Sequence, residues 1–330
     1  MVFAPAPQLT VTVEQRGDEP DIHVHAGGQG VWQARMVRSL GIRVVFCAAF
    51  GGETGQIARH LIAGEGIEVC GVDAQSRSGA YVQDRRGGER VDIAEVVGDP
   101  LTRHELDELY GIALTEGLRA RVAVLSGPPA GAHVVPPEVY RRLASDLSRN
   151  GCLVLADLSG DYLSQAVAGG LRVVKVSQDQ LVADGRIDGA GVDALVGAMC
   201  RLRDEGAATV LVTRAEQPAL ALIGDEAVEV VTPQLEPADP RGAGDSTTAG
   251  IAASLAQGEG VADAIRTGAA AGALNVTRHG LGTGRSEAVA QLKTRVQLVA
   301  IRTTRKGETR GEGADVQMTP DQLAERMRRS

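Results

Sequence analysis

Between residues 103 and 231 the chain alternates short, uniformly apolar runs with longer amphipathic stretches. The spacing predicts a helix over Arg103–Gly117 before a strand at Val122–Leu125, and a helix over Pro136–Asn150 before a strand at Cys152–Ala156. A strand at Leu171–Val176 is followed by short helical turns, and a helix over Ala190–Glu205 leads to a strand at Val210–Thr213. Strands apolar at every position are buried on both faces, so they belong to a parallel sheet covered by helices. Each run ends in a Gly/Ser/Asp loop, such as Ser126-Gly127-Pro128-Pro129 or Asp157-Leu158-Ser159-Gly160. Ligands in such sheets bind beyond the carboxyl ends of the strands. Two further runs, Ala219–Ile223 and Ala227–Val231, read as an edge hairpin.

The N-terminal third is different. Leu9–Glu14 alternates β-branched and polar residues, and Asp21–His25 can pair with it. Gly79–Gln83 and Val91–Val97 flank Asp84-Arg85-Arg86-Gly87-Gly88, a hairpin signature. These half-exposed strands predict a small sheet standing apart from the main body. Between them, Gly27-Gly28-Gln29-Gly30 opens a helix over Val31–Leu40, Ile42–Ala48 is a buried strand, and Gly51-Gly52-Glu53-Thr54-Gly55 opens a helix through Ala63 before a strand at Val69–Val72. The fold class is therefore α/β, with residues 1–300 as one domain. Residues 301–330 form a charged tail, in which Thr319-Pro320-Asp321-Gln322 can cap a short helix.

Composition narrows the function classes. A net charge of −8 and a pI near 5.4 speak against nucleic acid or an anionic membrane surface as partners. No stretch reaches the ~18 apolar residues that a membrane helix needs, and the N-terminus lacks a leader's basic and apolar regions. A soluble, cytoplasmic protein is expected. Cys47, Cys70, Cys152 and Cys200 form no metal-type cluster and mostly lie in apolar runs, so free thiols are expected. Aromatics make up 2% of the chain, so its core must be built from Val, Leu, Ile and Ala.

One motif carries chemistry. Asp239-Pro240-Arg241-Gly242-Ala243-Gly244-Asp245-Ser246 follows the last β run and opens a helix rich in small residues. Gly242 and Gly244 permit a sharp turn and a close approach to a ligand. The amides of Ala243, Gly244 and Asp245 then converge at a helix N-terminus, where negative charge is stabilised. Asp245 is badly sited to hold an anion there and well sited to take a proton from an attacking hydroxyl. Its alternative role is that of a helix-start carboxylate interacting with free amides.

Four segments, in order, resemble the ribokinase-like (PfkB-type) carbohydrate kinases: Ala26-Gly27-Gly28-Gln29-Gly30, Phe50-Gly51-Gly52-Glu53-Thr54-Gly55, Leu125-Ser126-Gly127, and Gly242-Ala243-Gly244-Asp245-Ser246 with Ala249-Gly250. The most similar subgroup is that of 1-phosphofructokinases and tagatose-6-phosphate kinases. The resemblance implies a three-layer αβα sandwich with a central mostly parallel sheet. It also implies a small β-sheet lid, from about residues 8–25 and 78–97, which in that family often serves as a homodimer interface. It implies ATP and Mg²⁺ as cofactors and a sugar or sugar phosphate, such as fructose 1-phosphate, as acceptor. Asp245 would be the base, with Gly242, Ala243 and Gly244 as the anion hole.

The same resemblance assigns Lys175, Thr213, Arg214, Arg241, Asn275 and Gly282 to the nucleotide, and Gln8, Gly27, Gly28, Gln29, Trp32 and Arg77 to the acceptor. Departures from the family pattern are concentrated here. Gln8 stands for an aspartate, Gln29 for a lysine and Trp32 for an asparagine. Ser177 and Gln180 replace the Asn and Glu that organise Mg²⁺, leaving Asp179 as the only carboxylate and the metal ligands unknown. Thr213-Arg214-Ala215-Glu216 replaces the usual Ser/Thr-x-Gly loop. Arg241 either clamps the γ-phosphate or pairs with Asp239 or Glu236. Trp32 either stacks on a ring or fills the core, Arg77 is either a phosphate ligand or a surface charge, and Asn275 either lines the base pocket or breaks the helix. Two rivals to the sugar kinase follow: a binding or regulatory protein that has lost efficient catalysis, and a kinase for another acceptor such as a nucleoside.

Overall fold

The computed structural model describes residues 1–129, 131–189, 191–278 and 281–301. The proposed tail helix lies outside the described residues. In chain order the elements are β1 (Val2–Phe3), β2 (Gln8–Arg16), β3 (Glu19–Gly27), α1 (Gln29–Ser39), β4 (Val45–Gly51), α2 (Gly52–Gly64), β5 (Glu68–Ala74), β6 (Ala80–Asp84), β7 (Val91–Val96) and α3 (Arg103–Arg119). Then come β8 (Val122–Ser126), α4 (Glu138–Arg149), β9 (Leu153–Asp157), α5 (Gly160–Ala168), β10 (Val173–Ser177), α6 (Gln178–Ala183), α7 (Val192–Glu205), β11 (Thr209–Arg214), β12 (Gln217–Ile223), β13 (Glu226–Val231), α8 (Ala243–Ala256), α9 (Val261–Val276), α10 (Ser286–Lys293) and β14 (Gln297–Ala300).

The main sheet runs β14-β13-β12-β11-β10-β9-β8-β1-β4-β5. Strands β11 through β5 in that order pair in parallel, while β12, β13 and β14 are antiparallel. Both faces are buried, and successive residues on a strand serve different cores. Phe3, Cys47 and Leu125 pack with Leu109, Leu143, Leu163 and Leu195 of α3, α4, α5 and α7. Val2, Phe46 and Val124 pack with Met36, Ile62, Ile251 and Ile265 of α1, α2, α8 and α9. This is the expected three-layer αβα sandwich, and burial on both faces is why its strands read as unbroken apolar runs.

Three elements differ from the sequence expectation. The central strand β1 has only two residues between Met1 and Ala4, too few for a periodicity, yet it pairs with both β4 and β8. Helix α5 fills the span between Gly160 and Leu171, to which the sequence reading assigns no element, with Leu163, Ala166 and Val167 buried. The β12–β13 hairpin is not the edge, because β14 pairs outside it with Val230 opposite Leu298. A four-residue strand has no pattern of its own; the open edge of β13 orders it.

The second sheet, ordered β3-β2-β6-β7, is the lid. Thr10 and Thr12 pair with His25 and His23 on one side and with Tyr81 and Gln83 on the other, which gives a polar face. Val11 and Val13 pair with Val24 and Ile22, which gives an apolar face. All four cysteines are free thiols, and no described helix is long and apolar enough to cross a membrane.

Candidate active site

Helix α8 starts at Gly242, whose φ of +72° puts it in the left-handed region that favours glycine. The turn aims the amides of the first helical residues outward at the positive end of the helix dipole. No side chain caps this end, so those donors are available to an anion. A Cβ on Gly244 would lie 2.6 Å from Lys175 Nζ, so only glycine lets the ammonium come so close beneath the loop.

Asp245 sits in the first turn of α8, next to a buried polar cluster at the carboxyl ends of β8, β9 and β10. Lys175 Nζ donates to Asp157 Oδ1 at 3.0 Å and to Oδ2 at 3.2 Å. Thr248 Oγ1 donates to Asp157 Oδ2 at 2.8 Å. From α1, Gln33 Nε2 donates to Asp157 Oδ2 at 3.1 Å and to Asp245 Oδ1 at 3.4 Å. Ser126 Oγ, at the end of β8, donates to Gln33 Oε1, and Tyr140 OH donates to the Ser126 carbonyl at 2.8 Å. Burial pushes the Asp245 carboxyl up to about 7, and repulsion from Asp157 adds to this; Lys175 and hydrogen bonds from Gln33 and Gln29 act in the opposite direction. Burial opposes the charge on Lys175, but Asp157 and Asp245 outweigh it and raise its pKa. A carboxyl poised near neutrality is matched to proton abstraction at physiological pH.

Of the residues expected at the acceptor, Gln8, Gly27, Gly28, Gln29 and Trp32 line one cavity, and Trp32 also borders a second. The smaller, about 270 Å³, is lined by Gln8, Gly27, Gly28, Gln29, Gly30 and Trp32 together with Gly127 and Pro128. Gln8 is buried, and its Nε2 has no partner. The larger cavity, about 780 Å³, lies against the polar face of the lid, with Thr10, His25, Gln83, Arg85 and Arg241 in its wall. Gly28 has a φ of +101°, and a Cβ on Gly27 would lie 2.6 Å from Thr10 Oγ1. Gln29 spans the ends of two strands, donating to the Asp157 carbonyl at 3.1 Å and accepting from the Gly127 amide at 3.2 Å. Arg77 stands outside both cavities, mostly exposed and paired with Asp99 at 3.1 Å.

The residues expected at the nucleotide are less uniformly disposed. Arg241 is held by Asp239 through its backbone amide at 3.0 Å and through its guanidinium, whose Nε donates at 2.9 Å. Asn275 is buried and buckles three segments: its Nδ2 donates to the Arg241 carbonyl at 2.6 Å, and its Oδ1 accepts from Ser246 Oγ at 3.0 Å and from the Gly282 amide at 3.3 Å. A Cβ on Gly282 would collide with the Trp32 carbonyl. Arg214 is buried in the hairpin, donating to the Pro218 carbonyl at 2.6 Å and to Glu229 at 3.2 Å, while Thr213 is half-buried at the end of β11. Ser177 and Gln180 form a reciprocal capping box at the start of α6. Among the described residues no group of three or more His, Cys, Asp or Glu side chains gathers as for a metal ion.

Gln33, Ser126, Asp157 and Thr248 did not stand out as site residues in the sequence. Gln33 carried a faint signal as a polar residue on the otherwise apolar face of α1, and Asp157 as a carboxylate ending an apolar strand. A left-handed glycine, an uncapped helix start and a near-neutral carboxyl thus lie together at the strand ends of a doubly covered sheet, beside the small β sheet, and mark the candidate active site.

Comparison with known proteins agrees. The model of the pfkB family of carbohydrate kinases matches residues 5–288, so the chain belongs to that family and is a carbohydrate kinase. It is 28% identical over 258 residues to the ATP-dependent 6-phosphofructokinase isozyme 2 of Escherichia coli K12, covering 77% of this chain and 82% of the relative. It is 23% identical to the 1-phosphofructokinase of Bacillus subtilis, covering 84% of this chain and 89% of the relative. The crystal structure of Escherichia coli phosphofructokinase-2 in complex with potassium superposes with a TM-score of 0.75 at 25% identity, covering 89% of this chain and 97% of that one. Arabidopsis thaliana ribokinase complexed with ribose and ATP shares the fold, with a TM-score of 0.68 at 19% identity over 88% of this chain and 97% of that one.

Proposed function

We propose that this kinase transfers the γ-phosphate of ATP to a hydroxyl of a sugar phosphate of the fructose 1-phosphate kind. Asp245 takes the hydroxyl proton, and the amides from Gly242 to Gly244 receive the charge that develops on the transferring group. The observation that carries the reading is the position of Asp245, directly behind the left-handed Gly242 and within hydrogen-bond reach of the helix that Gly27-Gly28-Gln29-Gly30 opens. Base and anion donors thus stand on the acceptor's side of one helix start, as in-line transfer requires. The phosphofructokinase relatives support a phosphorylated acceptor. Gln8 lines the smaller cavity and its buried Nε2 lacks a hydrogen-bond partner, which suits an acceptor oxygen in that region.

Mg²⁺ is the family's expected companion of ATP, but the described residues do not form a site for it. Ser177 and Gln180 hydrogen-bond to each other, which leaves Asp179 as a lone carboxylate. A metal would come coordinated by nucleotide phosphates and water.

The apolar face of the lid fits a second copy of the chain. Ile22, Val91 and Ile93 are 64%, 59% and 59% exposed there. Exposed apolar faces of this kind are common at contacts between protein chains, which supports the reading.

A second reading, a binding protein with weakened catalysis, is favoured by the capping box at Ser177 and by the confinement of Arg214 in its hairpin. A nucleoside acceptor is the third, with Trp32 as its stacking surface. An ADP-release assay across sugars, sugar phosphates and nucleosides separates them. Turnover of phosphorylated sugars is expected. Turnover of unphosphorylated acceptors alone overturns the sugar-phosphate reading, and a thermal shift with ATP but no turnover supports the binding protein.

A further inference from the structure

The carboxamide of Gln33 is fully buried and has one available orientation. Its Nε2 faces two carboxylate oxygens, Asp157 Oδ2 at 3.1 Å and Asp245 Oδ1 at 3.4 Å. Turning the amide over would aim its oxygen at both carboxylates and its nitrogen at the Ser126 hydroxyl. The two carboxylates set which end of the amide faces them, and Ser126 Oγ, donating to Gln33 Oε1, pegs the amide in that orientation. Both amide hydrogens are then committed, one to each aspartate.

We propose that Gln33 is a positioning residue for the catalytic carboxylate: by bridging Asp157 and Asp245 it fixes the Asp245 rotamer and favours its ionised form. The inference rests on the reading of Asp245 as the base. The charged groups facing Asp245 are Asp157 from β9 and Lys175 from β10; α1 contributes the neutral Gln29 and Gln33, and Thr248 of α8 is turned to Asp157. Two carboxylates therefore share one ammonium, and Asp157 makes the closer contacts with it. The Gln33 amide supplies the missing positive dipole between them. With Oδ1 held inward by Gln33, the second oxygen of Asp245 is the one left to meet an acceptor hydroxyl. An aliphatic side chain at position 33 leaves Asp245 with weaker support for its charge, and its pKa rises because a hydrogen bond to the ionised form is lost.

The test uses the full-length protein and the acceptor that it turns over. In Gln33→Met, the rising limb of kcat/KM against pH moves up by about one pH unit, equivalent to about a tenfold loss below the limb, with recovery at alkaline pH. The KM for ATP stays within about twofold. Ser126→Ala, which removes the peg but leaves Gln33, moves the limb in the same direction by less. A purely structural role lowers kcat by the same factor at every pH and leaves the limb in place; that result overturns the proposal. A second readout needs no turnover. The melting-temperature difference between each variant and its Asp245→Asn derivative, followed against pH, reports the pKa of residue 245. The window over which it changes is expected to extend to higher pH in Gln33→Met than in the parent, and an unchanged window overturns the proposal. If Gln33→Met does not fold, Ser126→Ala decides by the same two readouts. Full activity in Asp245→Asn sinks the base reading itself, whereas a limb that is lost in Asp245→Asn but unmoved in Gln33→Met sinks only this inference.

Discussion

Lys175 and Asp157 are register partners on the neighbouring parallel strands β10 and β9, and the ammonium lies 3.0 Å from the carboxylate with both side chains buried. The pair sits directly beneath the glycine turn that opens α8, because Gly244 leaves room for Nζ. The cation therefore serves Asp157 first and Asp245 at longer range. Breaking the pair leaves an uncompensated buried charge, which costs about 3–5 kcal/mol. Lys175→Met should lose that much stability in urea unfolding. Adding Asp157→Asn should recover a substantial part of it, since the amide keeps an acceptor for Thr248. Equal destabilisation in the single and double variants would show that the pair contributes nothing specific.

Asp245→Asn separates function from stability. Loss of a general base costs roughly 10²- to 10⁴-fold in kcat. Stability moves the other way. The carboxyl titrates at about 7 in the folded protein, above its unfolded value. Its protonated form is favoured by folding, so this contribution is complete below the unfolded pKa, declines as pH rises through the window between the two values, and is gone above about 7. The neutral Asn variant should melt higher than the parent. The gap should widen from about pH 4 to pH 7 and stay constant above that. A gap that widens toward acid pH would contradict the raised pKa.

The same titration sets the activity profile. The kcat/KM of the parent should rise with pH through about 7, with a slope of one proton, and Asp245→Asn should lack that limb. A pH-independent kcat/KM between pH 5 and 8 would remove Asp245 from the base role.

Gly242→Ala tests the anion hole through the backbone. A side chain at a φ of +72° costs about 1–2 kcal/mol, and it tilts the amides that follow. Misaligning one such donor lowers kcat about 10²- to 10³-fold. Thermal unfolding and steady-state kinetics together should show a modest stability loss with a disproportionate loss of kcat and little change in ATP affinity. An unchanged kcat would place the developing charge elsewhere.

Dimerisation through the lid predicts that a charge on its apolar face splits the assembly. Ile22→Asp is expected to give a monomer by light scattering with the main sheet intact by circular dichroism, since Ile22 is exposed within one chain. A monomeric parent, or a variant that stays dimeric, rules out this face.

Much of the architecture was legible because its physics is local. Strands buried on two faces read as apolar runs, and the lid strands read as alternation because one face meets a polar cavity. Gly242 and Gly244 announced a turn, since few other residues tolerate it. What escaped was set by distant partners. β1 is too short to have a period, and β14 forms because β13 offers an open edge. Arg77, Arg214 and Arg241 are interchangeable cations in a sequence. Only the fold turns the first to Asp99 and the second to Glu229, and decides that the third takes Asp239 from among the roles the sequence left open to it.

The site divides in the same way. The sequence alone determined that a carboxylate follows a glycine turn at a helix start, because that geometry lies within a few consecutive residues. The tertiary structure alone decided what that carboxylate feels. Gln33, Asp157 and Lys175 come from one helix and two strands, and only the stacking of α1 and α8 on the ends of β9 and β10 brings them within hydrogen-bond range. Burial and like-charge repulsion depend on distances through space, which spacing along the chain does not encode.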